Sequence, residues 1–226
     1  MKIRAILTGA TGMVGAGVLL ECLQNPDVEH ILVLSRRASG ITHPKVTELL
    51  HADLQHLGPI ENQLTGYNAC FFCAGISSLG ISKDEYVRIT HDLTLAFAQT
   101  LLRLNPAMTF TYVSGHGTDS SEQGRSRWAR VKGRTENELL ALPFRQAYMF
   151  RPGYMHPTPS QANVPKAYRY IKWLYPIARQ LTPAFVSTMQ ELALAMIKSV
   201  SRGYPKRVLE VADIVALAHG QPAPRS

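Results

Sequence analysis

Three glycines, Gly9, Gly12 and Gly15, fall in the run Thr8-Gly9-Ala10-Thr11-Gly12-Met13-Val14-Gly15, between a short apolar segment and a stretch of helical periodicity. A glycine-rich turn in that place can hold a pyrophosphate. The first glycine permits the tight turn, the second keeps the backbone clear for the phosphates, and the third lets the helix close onto the strand. The helix start adds free N–H groups and the positive end of its dipole. Three glycines alone would equally describe a tight turn with small packing residues, so it is the strand before and the helix after that make this a dinucleotide signal. Thr8, Gly9, Thr11, Gly12, Met13, Val14 and Gly15 are the candidate phosphate-side residues.

The end of the second strand reads Ser35-Arg36-Arg37. A carboxylate there would hold a ribose 2'-hydroxyl, whereas two guanidiniums and a hydroxyl suit a 2'-phosphate through charge-assisted, forked hydrogen bonds. The alternative is a solvated basic turn. The offset from the glycines favours the phosphate, so NADP(H) is expected over NAD(H).

Other reactive residues carry weaker signals. His116 has a side chain that titrates near neutrality. Five cations, Arg125, Arg127, Arg130, Lys132 and Arg134, fall within ten residues; they suit an anionic substrate or, equally, a solvated helix face balanced by Glu138. His43, His51 and His56 near Asp53 match no ligand spacing on a helix or in a finger, and no metal site is expected. Cys70-Phe71-Phe72-Cys73 resembles a redox pair, but it lies in an apolar run where residues three apart face opposite sides of a strand, so both thiols are read as core.

These residues need a scaffold, and the apolar pattern supplies one. Strands are predicted at Ile3 to Leu7, Ile31 to Leu34, Val46 to His51, Ala69 to Cys73, Thr109 to Val113 and Gln146 to Phe150, with a last at Val208 to Val211. Helices are predicted at Met13 to Gln24, from the Ser82 capping box to Leu104, and at Trp128 to Leu142, with a helix-prone segment at 59–64. Another is capped by Ser187 or Thr188 with Glu191 and stopped before Gly203. Buried strands alternating with helices indicate α/β architecture: a doubly wound parallel sheet, the Rossmann fold, forming one domain over 1–226. Within it, 152–205 is expected to be a small irregular substrate or partner region. Six prolines lie between Arg151 and Val186, alongside Tyr154, Tyr168, Tyr170, Trp173, Tyr175 and Phe185, and one interrupted helix is expected there.

The chain's 226 residues and 25.0 kDa suit one large domain. A 46% hydrophobic and 18% charged composition excludes a disordered or low-complexity chain. Lys and Arg exceed Asp and Glu by 24 to 16, favouring anionic partners. Nucleic acid is disfavoured, because no helix-turn-helix, finger or aromatic RNA-binding motif accompanies the charge. Three cysteines do not make a disulfide framework. Lys2 and Arg4 before sixteen uncharged residues mimic a signal peptide, but four glycines interrupt that run, and no apolar stretch reaches the roughly 18 residues of a membrane span. A cytoplasmic location is expected.

The sequence resembles the short-chain dehydrogenase/reductase superfamily in its atypical branch, most closely the epimerase/dehydratase-like group related to the Tat-interacting oxidoreductase-like protein. The resemblance rests on the glycine spacing and on Asp53-Leu54, which is similar to the pair bordering adenine. It also rests on Cys73-Ala74-Gly75 after the fourth strand, Tyr112-Val113-Ser114-Gly115 around the family's serine, and Arg151-Pro152-Gly153-Tyr154 beside the nicotinamide. It covers most of residues 1–155. It implies dinucleotide binding through these residues, with Ser114 and Lys132 at the catalytic positions. Where the family has a tyrosine four residues before its lysine, this chain has Trp128. An indole donates one N–H and does not titrate in the working range, so it cannot act as the acid-base group. Thr90 likewise replaces a supporting asparagine of the proton relay. His116 or Tyr154 are the replacement candidates. Two functions follow: an NADP(H)-binding protein with a redox-sensing or regulatory role, or an NADP(H)-dependent oxidoreductase or epimerase-like enzyme on a small carbonyl or alcohol. The expected partners are the dinucleotide, an unspecified substrate or protein, and a second copy of the chain as a homodimer.

Overall fold

A computed structural model describes residues 1–158, 161, 164, 175, 182 and 184–224. Apolar runs form the strands β1 (Ile3–Thr8), β2 (Val28–Ser35), β3 (Val46–Leu50), β4 (Ala69–Phe72), β5 (Thr109–Val113) and β6 (Gln146–Phe150). Three shorter strands follow: β7 (Tyr154–His156), β8 (Val186–Thr188) and β9 (Val208–Leu209). Seven of these make one parallel sheet in the order β3-β2-β1-β4-β5-β6-β9. The order reverses between β1 and β4, and in open sheets of this kind ligands bind at the carboxyl ends of the strands beside that reversal.

Alternation along the strands divides the core in two. Leu7 and Phe71 face one side, with Met189, Leu192 and Met196 of a later helix. Ile6, Cys70 and Phe72 face the other, with Phe97, Leu101 and Phe110. Both faces are covered, as a parallel sheet requires. Cys70 lies in the second cluster while Cys73 packs against the first, so the two thiols point to opposite sides.

The covering helices are α1 (Met13–Gln24), α2 (Lys83–Val87), α3 (Leu93–Leu104), α4 (Arg127–Ala141), α5 (Met189–Arg202) and α6 (Val211–His219). Thr188 caps α5 through a reciprocal pair with Glu191, and Gly203 ends it at φ 73°. Four expectations change. The helix predicted from Ser82 to Leu104 contains a π turn at Arg88–Asp92 between α2 and α3. The segment at 59–64 is a 3-10 turn, Gly58–Gln63, six residues long and closed by the Leu64 N–H on the Glu61 carbonyl. β3 sits at the sheet edge and is only partly covered, so it is not a buried strand. Val211 begins a helix instead of ending the last strand, since β9 pairs with β6 through only two residues. β7 and β8 form a small parallel pair that periodicity did not reveal, three residues each being too short to show a pattern. Tyr168, Tyr170, Trp173 and the interrupted helix expected around them lie outside the described residues.

Candidate functional site

The glycine turn spans β1 and α1 at the point of reversal, and its glycines differ in what surrounds them. At Gly9, φ is 73°, and a Cβ would meet the Cys73 carbonyl carbon and oxygen at 2.6 Å. A Cβ on Gly15 would stand 2.2 Å from the Gly9 oxygen. These two are fixed by the protein's own packing. At Gly12 the nearest atom to such a Cβ is the Gly9 oxygen, at 3.4 Å, so the chain itself does not demand glycine there. Space kept open beside an uncapped helix start suits a ligand's phosphates: Gly12 is the N-cap of α1 with no side-chain cap, and no acidic residue lies in the first turn. Thr8 is buried, and its hydroxyl oxygen accepts from the backbone N–H of Cys73 at 3.2 Å and of Ala74 at 3.1 Å. This ties the end of β1 to the turn after β4. Gln161 donates to the Met13 carbonyl at the same helix start.

Two cavities open here. One, of about 280 Å³, is lined by the glycine turn, Ser35-Arg36-Arg37, Leu54 and Cys73-Ala74-Gly75. The other, of about 370 Å³, is lined by 52–56, Ala74-Gly75-Ile76 and residues of the helix after β4. The predicted phosphate, ribose and adenine residues therefore share one continuous surface. Ser35 is buried and its hydroxyl donates to the Arg37 carbonyl at 2.6 Å, so its proton is used within the turn. Arg36 and Arg37 are exposed. Asp53 accepts from His56 Nδ1 at 2.7 Å and from the Gln55 N–H at 2.9 Å; chiefly the His56 bond holds its carboxyl below the usual range.

The family's catalytic positions stand at the ends of β5 and along α4. The Ser114 hydroxyl lies 2.5 Å from Glu136 Oε1 and 3.1 Å from the Phe150 carbonyl. It has one proton, which the shorter contact directs into a hydrogen bond to the Glu136 carboxylate. Lys132 donates to the Ser114 carbonyl, and burial pulls its ammonium down to about 8 against the opposing attraction of Glu136. Trp128 packs its indole edge over Gly117, whose Cβ would meet it at 3.6 Å. Trp128, Lys132 and Glu136 recur at four-residue spacing and share one face of α4.

The segment after β6 is pinned. Arg151 reaches both oxygens of fully buried Glu136, at 2.5 to 3.1 Å, and Glu210 Oε1 at 3.1 Å. Its guanidinium is thus turned into the protein. The Pro152 carbonyl accepts from the His116 N–H at 2.8 Å, and a Cβ on Gly153 would stand 2.1 Å from the Phe185 oxygen. Burial, with Tyr175 adding to it, raises the Tyr154 phenol above an ordinary tyrosine. His116 lies half-exposed with Nδ1 3.5 Å from Glu210 Oε2 and its ring edge-on to Phe185, centroids 5.2 Å apart. Glu136 and Glu210 were not anticipated. The four-residue spacing after Lys132 would have indicated the first, while no local pattern marks the second.

Solved structures share this fold. The Bordetella bronchiseptica enzyme WbmG, solved with NAD and UDP, matches at a TM-score of 0.68 and 14% identity, over 99% of this chain and 81% of its own. The Helicobacter pylori ADP-L-glycero-D-manno-heptose-6-epimerase matches at 0.67 and 12%, over 98% and 83%. The chain has the fold of the short-chain dehydrogenase-like epimerases and dehydratases. At these identities the likeness is one of fold. No family model matches the sequence. Among curated relatives, "Protein fmp52, mitochondrial" of Emericella nidulans is 30% identical over 157 residues, 65% of this chain. The match spans 64% of that relative's length. "Protein fmp52-1, mitochondrial" of Aspergillus terreus is 28% identical over 175 residues, 73% of this chain and 72% of its own. These names overturn the expected cytoplasmic location: both relatives are named as mitochondrial, a distinction that charge and apolar content could not draw. Among the described residues, no helix is long and apolar enough to cross a membrane.

Proposed function

We propose that this chain is an NADP(H)-binding protein that keeps the nucleotide half of the dehydrogenase machinery and acts as a redox-sensing or regulatory binder. Bound NADPH would bring a transferable hydride. Gly12 and the α1 start would hold the pyrophosphate, Arg36 and Arg37 the 2'-phosphate, and Lys132 the ribose. Supporting the binding role is the loss of both usual proton donors: Trp128 has no titrating group, and the Ser114 proton is held by Glu136. The arginine pair would lack an anionic partner with NADH. Calorimetry on wild type and Arg36→Asp tests this, with NADPH binding roughly tenfold to a hundredfold tighter than NADH in wild type and the preference lost in the variant. Equal affinities in wild type would sink the assignment. Trp128→Tyr is expected to bind NADPH comparably and to remain inert on a panel of small carbonyls, because Ser114 is still engaged.

A second reading, a carbonyl oxidoreductase or epimerase-like enzyme, is favoured by one observation: His116 faces the Glu210 carboxylate, so an imidazole with an acceptor behind it stands two residues from Ser114. In that reading His116 gives its proton to the substrate oxygen. Wild-type turnover above about 1 per second, lost on His116→Ala, would replace the binding role with this one.

A further inference from the structure

The two cavities meet at Arg36, which lines both. Arg88 lines the second cavity as well, with Ile89 and Leu93. The only carboxylate lining that cavity, Asp53, is already engaged by His56 and the Gln55 N–H. Among the described residues, neither the Arg36 nor the Arg88 side chain has a hydrogen-bonding or ion-pair partner. Two arginines thus line one cavity, and neither side chain is paired with the carboxylate that lines it.

The helix is wound so as to put Arg88 there. In a regular α-helix, residues five apart lie about 140° from each other around the axis. Arg88 and Leu93 would then face different ways. The π turn replaces that spacing with an i to i+5 bond, from the Leu93 N–H to the Arg88 carbonyl, which stacks the two residues on the same side. Both consequently line the cavity. Ile89 and Leu93 give it an apolar wall suited to a base, while Arg88 sets a charge at the rim.

We propose that Arg88 is a second determinant of 2'-phosphate recognition, closing on an adenosine 2'-phosphate from the helix side while Arg36 holds it from β2. A phosphomonoester dianion can accept forked hydrogen bonds from two guanidiniums at once. The inference rests on the NADP(H) reading and adds a residue that no glycine or strand-end pattern could nominate.

The test compares 2',5'-ADP with 5'-AMP by calorimetry at fixed salt, in wild type, Arg88→Gln, Arg36→Gln and the double variant. In Arg88→Gln, 2',5'-ADP is expected to weaken roughly tenfold or more, as for a lost charge-assisted pair, with 5'-AMP unchanged. Lys83→Gln makes the same charge change on the exposed start of α2 and is expected to leave discrimination intact. The double variant should lose less than the product of the single losses, because both arginines share one phosphate. Equal weakening of both ligands in Arg88→Gln would assign the residue to base stacking and overturn the proposal. Wild-type discrimination that survives in Arg88→Gln sinks this proposal alone. Absence of discrimination in the wild type sinks the cofactor reading and this inference with it.

Discussion

Single residues in the glycine turn separate folding from binding. Gly15 is closed in by the Gly9 backbone, whereas Gly12 borders the cavity. Gly15→Val forces helix and turn apart and is expected to destabilise the protein by about 1–3 kcal/mol or more. Gly12→Val should cost only about 1 kcal/mol, the loss of a favoured N-cap residue, and abolish dinucleotide binding. Urea denaturation and calorimetry on the two variants give the contrast. A Gly12→Val protein that binds normally would show that the phosphates sit elsewhere, and one that unfolds would make Gly12 a structural residue. The same distinction applies at Ser114, a residue matched by position to a catalytic serine but whose proton is directed inward to Glu136.

At the scale of elements, α4 joins the site to the core. Its one face carries Trp128 over Gly117, Lys132 on the Ser114 carbonyl, and Glu136 beneath them in contact with Arg151. Glu136 is fully buried, and its partner's side chain is 10% exposed, so removing the carboxylate leaves a desolvated guanidinium with only the half-exposed Glu210 to balance it. Glu136→Gln is expected to destabilise the fold by about 3–5 kcal/mol, and Glu136→Gln with Arg151→Met by less. Chemical denaturation of the single and double variants checks this; a double variant as unstable as the single would mean that the pair contributes no coupling. The helix after β4 behaves similarly. Its cap at Ser82 is legible, with the hydroxyl accepting from the Glu85 N–H at 3.2 Å, but the π turn six residues on is not. That turn is a local misfit of winding to packing, and residue types do not encode it.

For the whole molecule, the partly buried Lys132 shapes stability against pH. The unfolded chain keeps that ammonium to its ordinary value of 10.5, while the folded one releases its proton near 8. Between those values the unfolded state binds more protons, so stability contributed by this group rises with pH; below about 8 the buried charge is a penalty. Wild type is therefore expected to gain stability relative to Lys132→Met from pH 8 to 10.5. Denaturation curves of the two proteins across that window check it, and parallel profiles would show that the lysine titrates normally. The strand-helix alternation, the glycine turn and the arginine pair were legible in the sequence by itself, since each depends on residues a few positions apart and on periods of two or 3.6. Only the tertiary structure decided that Glu136 meets Arg151 fifteen positions on, that Glu210 reaches the same guanidinium from 59 away, and that Arg88 shares a cavity with Arg36. Those meetings are made by the order of the strands and the winding of one helix, and a chain's local pattern does not specify which distant charges its folded core will bring into contact.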